Sequence, residues 1–355
     1  MFKSPDRDPS PTITMTTLST PRKPRRATMN DVARLAGVSI KTVSRVVNDE
    51  PGVHNETAER VLAAIERLGF RRNIGALNLR RGSSTGTIGI VLEDVANPFY
   101  SGLARAAEEV ARRHGRQVLT GSSDEDAVRE RELSLEFCAR RVDGLIVVPA
   151  GRRHAYLVPE ITSGLPVVFV DRPPGDVVAD TVLVDNLDGT STAVTHLARH
   201  GHRRIAFLGD SPEIFTAGER LRGFREGYAR AGLPFDERLV AMGPHTPGDL
   251  PEVLGELLGG ASGATAVVTG NNRITVLALR ALAGAAHRPA LVGFDDFELA
   301  DLLDPPVSVV AVDPGLLGQT AAELLFARMA GDSAPPRRIV LPVRLVPRGS
   351  GEVGP

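Results

Sequence analysis

Residues 28–48, TMNDVARLAGVSIKTVSRVVN, constrain the fold of this chain more than any other stretch. They predict two short helices joined by a tight turn. Asp31 lies where the first turn of a helix favours negative charge, and Gly37 lies where the first helix must end. Ser39 is placed to cap a second helix over Ile40–Val47.

The second predicted helix has an apolar face and a polar face. Val43, Val46 and Val47 follow the i, i+3, i+4 spacing of a buried face. The outward face carries Ile40, Lys41, Thr42, Ser44 and Arg45. A helix start that exposes hydroxyls and two cations suits entry into the major groove of DNA.

The sequence ARLAGVSIKTVSRVVN, residues 33–48, resembles the helix-turn-helix of the LacI/GalR family of transcription regulators nearly residue for residue. The resemblance implies an effector-responsive repressor that binds a near-palindromic operator as a homodimer. Lys41 and Arg45 would then read base edges, and Ile40 would add an apolar contact. Phosphate contacts that fix the register are expected from Thr28, Ser39, Thr42, Ser44 and Asn48.

The net charge of −1 hides an asymmetry along the chain. Residues 21–81 hold 13 Lys/Arg against 6 Asp/Glu, whereas residues 82–355 hold 27 against 35. A small basic module joined to a larger acidic one fits a DNA-binding head on a body that does not adhere to phosphates.

Residues 1–27 are expected to form a disordered basic tail, because they hold five prolines and many hydroxyl residues. The run PRKPRR at residues 21–26 either adds nonspecific phosphate contacts or is simply solvated. Met15 and Met29 are alternative translation starts. This tail lacks a signal-peptide core, and the chain has no run of 18 apolar residues, which favours a cytoplasmic protein. The single cysteine, Cys138, is interpreted as core filler in a reducing compartment.

The helix-turn-helix domain is expected to span residues 28–70. A third helix over Glu56–Leu68 is predicted to close a three-helix core. Its core residues are predicted to be Val61, Leu62, Ile65 and Leu68. Because His54 stands where the family often has a serine cap, Asn55 is the predicted cap.

Residues 71–86 occupy the place of the family's hinge helix and linker. In the family this segment folds on the operator, and a leucine from each subunit wedges into the minor groove. Leu79 falls at the matching position, the alternative being an ordinary linker leucine. Arg72 and Leu77 depart from the family's usual Pro and Arg, and Gly75 weakens a helix by about 1 kcal/mol. Whether this hinge folds fully on DNA is therefore left open.

From Thr87 onward, short apolar strands alternate with amphipathic helices, which predicts parallel sheets covered on both faces. Residues 87–347 are too many for one open sheet of this kind, so two doubly wound lobes with a cleft between them are expected, followed by a tail over 348–355. This arrangement resembles the periplasmic-binding-protein-like body of the same family. The predicted fold is a small all-α head with a hinge helix, followed by an α/β body of two parallel-sheet lobes. The absence of a heptad tail favours a dimer over a tetramer.

The predicted elements of the body follow from this alternation. The strands are Ile88–Leu92, Gln117–Leu119, Leu145–Val148, Val167–Val170, Val182–Val184, Ile205–Leu208, Ala266–Thr269, Ala290–Gly293, Val307–Val312 and Ile339–Val346. The helices include Tyr100–His114, Val128–Arg140, Thr190–His200, Arg220–Ala231 and Arg273–Ala283.

Polar and aromatic residues follow two strands of the first predicted lobe. In parallel α/β sheets, ligands bind beyond the carboxyl ends of the strands. Residues 97–100, NPFY, follow the first strand, and Phe99 and Tyr100 offer rings to a ligand. Asp171 and Arg172 follow the fourth strand.

The second predicted lobe offers Arg220, Asn271 and Asp295. Arg220 lies three residues before Gly223 in the family's R-x-x-G-F/Y pattern, and the other two follow strands. The resemblance implies that these residues of both lobes bind an effector. Guanidinium, amide and carboxylate groups suit the vicinal hydroxyls of a sugar or related polyol. The alternative for each is a surface or interlobe ion pair, and Asn272, where the family usually has an acid, leaves the effector class open.

Two other classes of protein fit the sequence less well. A sugar-binding transport component would share the body but leave the basic head unexplained. An enzyme would need a catalytic constellation, and the sequence contains neither H-E-x-x-H nor G-x4-G-K-[ST]. His196, His200 and His202 resemble a common family stretch at a helix end more than a zinc site. We therefore expect no cofactor, no metal and no enzymatic activity.

Overall fold

The computed structural model describes residues 27–48, 50–71, 84–259, 263–285 and 288–355. The chain divides into two compact units, Met1–Arg81 and Gly82–Pro355. The predicted hinge leucine, Leu79, and the predicted basic tail before residue 27 lie outside the described residues.

The described part of the head contains three helices, α1 (Met29–Ala36), α2 (Ile40–Val47) and α3 (Asn55–Leu68). Thr28 and Asp31 form a reciprocal capping box at the start of α1. Gly37 ends α1 in the left-handed conformation, with φ of 66°. The Ser39 side chain caps α2, so the predicted helix–turn–helix is confirmed.

Two details of α3 differ from the prediction. The helix begins at Asn55 with His54 at the capping position and no side-chain cap, so the prediction of Asn55 as the cap is wrong. Val61 and Ala64 are buried, and Ile65 packs against them. Leu62 is 55% exposed and Leu68 36% exposed. These two leucines were predicted in the core, but the buried stripe of α3 follows Val61, Ala64 and Ile65.

The body has two α/β lobes, as predicted, and the described residues of each form a six-stranded sheet. The strands of the first sheet are β1 (Thr87–Leu92), β2 (Gln117–Ser122), β3 (Leu145–Val147), β4 (Val167–Val170), β5 (Asp180–Val184) and β11 (Arg338–Leu341). They have the order β11-β5-β4-β3-β1-β2 and are all parallel. We call this sheet and its helices the first lobe.

The second lobe has the order β12-β10-β9-β8-β6-β7, with only the edge strand β12 antiparallel to its neighbour among the described strands. Its strands are β6 (Ile205–Gly209), β7 (Val240–Met242), β8 (Ala266–Thr269), β9 (Ala290–Phe294), β10 (Ser308–Ala311) and β12 (Arg344–Val346). The short, half-buried edge strand β7 was not predicted.

Helices cover the sheets on both faces. Those of the first lobe are α4 (Pro98–Arg113), α5 (Ala127–Ala139), α6 (Val158–Thr162) and α11 (Pro314–Met329). Those of the second lobe are α7 (Asn186–Arg199), α8 (Phe215–Arg230), α9 (Leu250–Leu258) and α10 (Asn272–Ala281). In the described part of the chain, no helix is long and apolar enough to cross a membrane.

The chain passes between the lobes three times, after β5, after β10 and after β11. The last passage corrects the prediction of one strand over Ile339–Val346. Pro342, which lacks a backbone N–H, interrupts that stretch, and its two halves pair in different sheets.

The segment predicted as a C-terminal tail packs against the second lobe. The Ser350 backbone N–H donates to the Pro306 carbonyl over 2.9 Å, and its hydroxyl donates to the Leu291 carbonyl over 2.6 Å. The His202 ring lies between Thr265 and the Val353 carbonyl, 2.8 Å from each. His202 therefore has a structural role, and no group of metal-binding side chains occurs among the described residues.

Two helix pairs approach closely at glycines. Gly318 of α11 faces the backbone of Leu103 of α4, and Gly223 of α8 faces the backbone of Leu187 of α7. A side chain at either position would overlap a carbonyl oxygen. Gly223 of the family pattern is therefore required by helix packing.

We expect Gly318→Ala to lower the free energy of unfolding by about 1–3 kcal/mol, because the added methyl group forces the two helices apart. Gly255, inside α9, is the matched control, since an added Cβ there meets nothing within 4 Å. Gly255→Ala should be neutral or stabilising by about 0.5–1 kcal/mol. Denaturant unfolding followed by circular dichroism measures both variants, and a Gly318→Ala protein as stable as the parent contradicts this account.

Candidate functional site

The outward face of α2 is the candidate DNA interface. Ile40 is 49% exposed, Lys41 is exposed, and Arg45 is partly exposed, while Val43 is completely buried. The valine face therefore fixes the helix to the head and leaves the cationic side available to a partner.

The predicted phosphate-contacting residues already have local roles. The Ser39 hydroxyl accepts the Thr42 backbone N–H over 3.1 Å and lies 2.9 Å from the Thr42 hydroxyl. Thr28 holds the capping box of α1 with Asp31. The Asn48 amide donates to the Ser44 hydroxyl over 3.4 Å. These bonds hold the helix ends in a defined conformation.

The candidate effector site is a cleft between the lobes, at the carboxyl ends of both sheets. Its free space is about 530 Å³, mouth included. All seven residues predicted from the sequence line it, namely Phe99, Tyr100, Asp171, Arg172, Arg220, Asn271 and Asp295. The strand-end rule predicted six of them, and Arg220, inside α8, was predicted from the family's R-x-x-G-F/Y pattern.

The second-lobe wall is organised by Arg220, which is 5% exposed. Its guanidinium donates to Asn186 Oδ1 over 2.7 Å, to the Gly270 carbonyl over 2.5 Å and to Asp295 Oδ2 over 3.2 Å. It also lies 3.9 Å from the centre of the Phe294 ring. This set of partners compensates the desolvation of a buried cation.

The first-lobe wall is organised by Arg172. Its guanidinium forms a bidentate ion pair with Glu125 and donates to the Pro149 carbonyl over 3.0 Å. It also donates to the Tyr100 hydroxyl over 3.3 Å, and that hydroxyl donates to Asp171 Oδ2 over 3.2 Å.

Three buried polar atoms of the cleft have no hydrogen-bond partner in the described structure: Asp171 Oδ1, Arg172 Nε and Asp295 Oδ1. Buried polar atoms are nearly always paired in folded proteins, so a ligand is the natural partner here. Asp171 and Asp295 also have left-handed backbones, with φ of 70° and 63°. Such strain costs about 1–3 kcal/mol and concentrates at functional sites.

Phe99 and Asn271 support the cleft. The Phe99 ring is 92% buried and meets the Tyr100 ring edge to face, with the centres 5.0 Å apart. The Asn271 side-chain Oδ1 accepts the Ile274 backbone N–H over 2.8 Å, which caps α10. Its amide donates to Asp210 Oδ2 over 2.9 Å, so this side chain is held in one orientation.

Two contacts join the lobes at the cleft. Arg273 of the second lobe forms ion pairs with Glu93, over 3.3 Å, and with Asp94. The Asn272 amide donates to Asn97 Oδ1 over 2.9 Å. Asn272, the departure from the family pattern, thus supplies a neutral donor across the lobes.

Sequence reasoning missed several residues of the cleft. Glu93 directly follows β1, so the strand-end rule identifies it in principle. Glu125 lies in the loop after β2 and Asn186 at the start of α7, where no local pattern marked them. Their roles depend on which buried arginine each one meets.

The cleft combines five carboxylates with three guanidinium groups among its lining residues. Burial, and then the neighbouring Glu125 carboxylate, raise the pKa of Glu93 to about 7, against the opposing effects of Arg172 and Arg273. Burial also raises the pKa of Asp295, although Arg220 opposes that shift. Even with Glu93 partly protonated at neutral pH, the guanidinium groups do not outnumber the carboxylates, so the cleft has no excess of cations for an anionic ligand.

A helix-turn-helix head with an exposed cationic helix, followed by a two-lobed body with a ligand cleft, defines a DNA-binding regulator controlled by a small molecule. Residues 28–73 match the model of bacterial regulatory proteins of the lacI family. Residues 194–351 match the periplasmic binding protein-like domain. The chain belongs to the LacI family and is a DNA-binding transcriptional regulator.

Full-length relatives support this assignment. The chain is 33% identical over 340 residues to the regulator CelR of Thermobifida fusca, covering 92% of this chain and 99% of CelR. It is 30% identical over 314 residues to GalR of Escherichia coli, covering 85% of this chain and 89% of GalR.

Solved structures agree in fold. The lac repressor dimer bound to operator and the anti-inducer ONPF has a TM-score of 0.80 at 26% identity, covering 93% of this chain and all of that one. A CelR–cellobiose complex has a TM-score of 0.67 at 31% identity, covering 92% of this chain and all of that one. The chain therefore contains both parts of the family's structure, the DNA-binding head and the two-lobed body.

The raised pKa of Glu93 predicts a pH dependence of stability. The folded state binds a proton at Glu93 more tightly than the unfolded chain, so the free energy of unfolding falls as pH rises from about 4.5 to about 7. The Glu93 contribution lost is at most about 3–4 kcal/mol, at about 1.4 kcal/mol per pKa unit.

Urea unfolding at pH 5, 6, 7 and 8 tests this expectation. The difference in the free energy of unfolding between the parent and Glu93→Gln should change across that range, and the parent should be most stable relative to the variant at low pH. Exposed Glu132 on α5 is the matched control, and Glu132→Gln should give a constant difference. A constant difference for Glu93→Gln rules out the shifted titration.

Proposed function

We propose that this regulator is a repressor whose operator affinity is controlled by an uncharged sugar or related polyol bound between the lobes. The observation that carries the proposal is the pair of buried carboxylate oxygens without a hydrogen-bond partner in the described structure, Asp171 Oδ1 and Asp295 Oδ1, one from each lobe. Arg172 Nε also lacks a hydrogen bond there, and it lies 3.6 Å from Asp171 Oδ2. In this proposal the regulator acts on DNA in the cytoplasm, needs no cofactor and catalyses no reaction.

The chemistry of the cleft favours hydroxyl groups. Carboxylate oxygens accept hydrogen bonds from hydroxyls, and guanidinium groups donate to them, so vicinal hydroxyls satisfy both kinds of group. The guanidinium groups do not outnumber the carboxylates, so the cleft has no excess of cations for sugar phosphates or organic acids. The cellobiose bound to the related CelR and the ribose bound to a LacI-family regulator of Enterococcus faecium are ligands of this kind.

Control of the operator follows from differential binding to two arrangements of the lobes. The ligand contacts Asp171 of one lobe and Asp295 of the other, so it stabilises the arrangement in which both carboxylates reach it. Operator and ligand are then coupled, and each changes the affinity of the other by the same factor. The regulator binds a near-palindromic site as a homodimer. The related lac repressor is a dimer in its complex with operator.

Base reading is assigned to α2. Lys41 and Arg45 reach base edges, and Ile40 supplies an apolar contact. Thr28, Ser39, Thr42, Ser44 and Asn48 contact phosphates and fix the register, and Leu79 of the hinge enters the minor groove.

We expect the double variant Lys41→Ala/Arg45→Ala to lose sequence-selective binding, because each base-reading contact contributes about 1–3 kcal/mol. Gel-shift assays with selected operator fragments and with scrambled DNA measure the ratio of specific to nonspecific affinity. Arg112→Ala/Arg199→Ala removes two exposed cations from the body and serves as the control. Unchanged site preference in the Lys41/Arg45 variant refutes the assignment of α2.

We expect Asp171→Asn to weaken sugar binding about 10- to 100-fold, since a hydrogen bond to a charged group contributes about 1.5–3 kcal/mol. Asparagine tolerates the left-handed backbone of this position, so the fold should persist. Titration calorimetry with the sugar that gives the largest thermal shift measures the effect. Exposed Asp301→Asn is the control, and equal affinities for the two variants contradict a role for Asp171 in ligand binding.

A further inference from the structure

A buried ion pair lies in the first lobe, outside the effector cleft. Glu130 on α5 and His154 in the loop after β3 are 1% and 0% exposed, and His154 Nε2 lies 3.1 Å from Glu130 Oε1. Neither side chain is among the described residues that line the cleft. Complete burial of two ionisable groups is costly unless hydrogen bonds satisfy both of them. The partners of the pair therefore indicate what it does.

The Glu130 carboxylate accepts three hydrogen bonds. The Ala150 backbone N–H donates to Oε2 over 2.6 Å, the Tyr156 hydroxyl donates to Oε1, and the third donor is His154 Nε2. Burial acts to raise the pKa of Glu130, but these hydrogen bonds outweigh burial, so the pKa lies below its usual value. Glu130 is therefore ionised at neutral pH.

The His154 ring faces an acceptor at each nitrogen. Nδ1 lies 2.5 Å from the Pro174 carbonyl oxygen, Nε2 faces the Glu130 carboxylate, and the ring meets that of Phe169 on β4 edge to face. Because neither a carbonyl nor an ionised carboxylate donates, we assign a hydrogen to both nitrogens, which makes the ring an imidazolium. Burial acts to lower the pKa of His154, but Glu130 and the Pro174 carbonyl outweigh burial and hold the pKa above its usual 6.5.

Other charged and titratable groups surround His154. The loop after β4 supplies Asp176, whose Oδ1 accepts the His154 backbone N–H over 2.6 Å. The Tyr156 ring lies beside the imidazole, and the guanidinium of Arg131 on α5 is 5.9 Å from the centre of that ring. The carboxylates of Glu130 and Asp176 both favour the imidazolium form.

The two loops that the pair joins hold Arg172 of the cleft. Arg172 lies two residues before Pro174 in the loop after β4, and its guanidinium donates to the Pro149 carbonyl over 3.0 Å. Pro149 directly precedes Ala150, whose backbone N–H donates to the buried glutamate. The histidine therefore holds the segment that carries Arg172, and the glutamate holds the segment that carries its acceptor.

Backbone contacts between the same loops support this link. Arg153 and Gly175 form an antiparallel bridge, and a side chain at Gly175 would overlap the Arg152 carbonyl oxygen. The loop after β4 begins at Asp171, whose Oδ2 lies 3.6 Å from Arg172 Nε. A shift of this loop would consequently move both side chains of the first-lobe wall.

We propose that Glu130 and His154 are positioning residues of the effector cleft, and that the proton on the His154 ring sets the affinity for the effector by holding the loops after β3 and β4 together. When this proton is lost, one ring nitrogen presents a lone pair to an acceptor, and a buried hydrogen bond between the loops is lost. A preordered wall loses less conformational entropy when a ligand binds, so its loosening weakens binding. This inference rests on the proposed function, because it concerns the same cleft.

Titration calorimetry on the full chain at pH 6, 7, 8 and 9 tests the proposal. The probe is whichever of glucose, galactose, ribose and cellobiose gives the parent its largest thermal shift. The proton is lost as pH rises through the pKa of His154, so the parent should bind the probe less tightly at high pH. Glu93 also titrates near pH 7 and remains in every variant, so each variant is compared with the parent at the same pH.

Glu130→Gln keeps the hydrogen bonds without the ion pair. The glutamine oxygen can accept the Ala150 N–H, and its amide can donate to a neutral His154 ring whose Nδ1 still donates to Pro174. Binding to this variant no longer depends on the proton of the pair. The ratio of parent to variant affinity should therefore fall about fivefold between pH 6 and pH 9, the equivalent of one hydrogen bond of about 1 kcal/mol.

His154→Gln removes one of the two donors of the ring, because a single amide nitrogen cannot reach both acceptors. It should bind the probe about fivefold more weakly than the parent at pH 6. His200→Gln makes the same exchange at an exposed histidine of the second lobe, and it should keep the affinity and the pH profile of the parent.

Nitrogen-15 NMR of the arginine side chains gives a second readout that needs no ligand. At pH 6 the Nε signal of Arg172 should move in His154→Gln, because the loop that carries Arg172 shifts. The Nε signal of Arg220, which belongs to the second lobe, should stay in place. A pair that only stabilised the fold would lower the melting temperature without moving the Arg172 signal.

The outcomes separate this inference from the proposed function. Parallel pH profiles of the parent and Glu130→Gln, or an unmoved Arg172 signal in His154→Gln, overturn the positioning role while leaving the sugar effector standing. If none of the probes binds, the proposed sugar effector fails, and the Arg172 signal decides this inference alone. If His154→Gln does not fold, the affinity ratio and the Arg172 signal of Glu130→Gln between pH 6 and pH 9 decide it.

Discussion

The buried guanidinium of Arg220 is the interaction on which the second half of the cleft depends. A cation removed from water is tolerated only when its donors are satisfied, and here three chain segments supply the acceptors. Asn186 opens α7, Gly270 follows β8 and Asp295 follows β9, so one side chain joins the ends of separate elements. The ion pair occupies one oxygen of Asp295 and leaves the other toward the cleft. The same contacts that stabilise the lobe therefore also orient the oxygen that we propose as a ligand-binding atom.

The lobes are joined at the cleft by contacts that are individually weak. Arg273 is half exposed, so its ion pairs with Glu93 and Asp94 contribute little after solvent screening. The bond between Asn272 and Asn97 is neutral, although it is buried. These contacts therefore contribute little to the free energy that holds the lobes in this arrangement. The control that we propose requires a ligand whose hydrogen bonds to the two walls differ between two arrangements of the lobes.

Sequence reasoning succeeded for features that depend on residues close together in the chain. Caps, glycine turns and the valine face predicted the helices of the head. The rule that ligands bind beyond strand ends predicted that residues as far apart in the sequence as Tyr100 and Asp295 line one cleft. It failed where the outcome depends on distant partners. Leu62 lies one residue outside the buried stripe of α3, and Glu125 is recognisable only through its ion pair with Arg172. The contacts between the loops that follow β3 and β4, through the Arg153–Gly175 bridge, likewise depend on residues that are far apart in the sequence.

The three passages of the chain between the lobes also determine the order in which the molecule can be completed. The first lobe begins at β1, yet its sheet lacks an edge strand until β11 is made, and α4 lacks its packing partner until α11 is made. During synthesis the second lobe can therefore close its central strands while the lobe begun earlier still waits for the final segment of the polypeptide. Neither lobe corresponds to one continuous piece of the gene. If one contiguous segment of this chain were exchanged for that of a relative in order to transfer ligand specificity, the exchange would consequently divide a hydrophobic core.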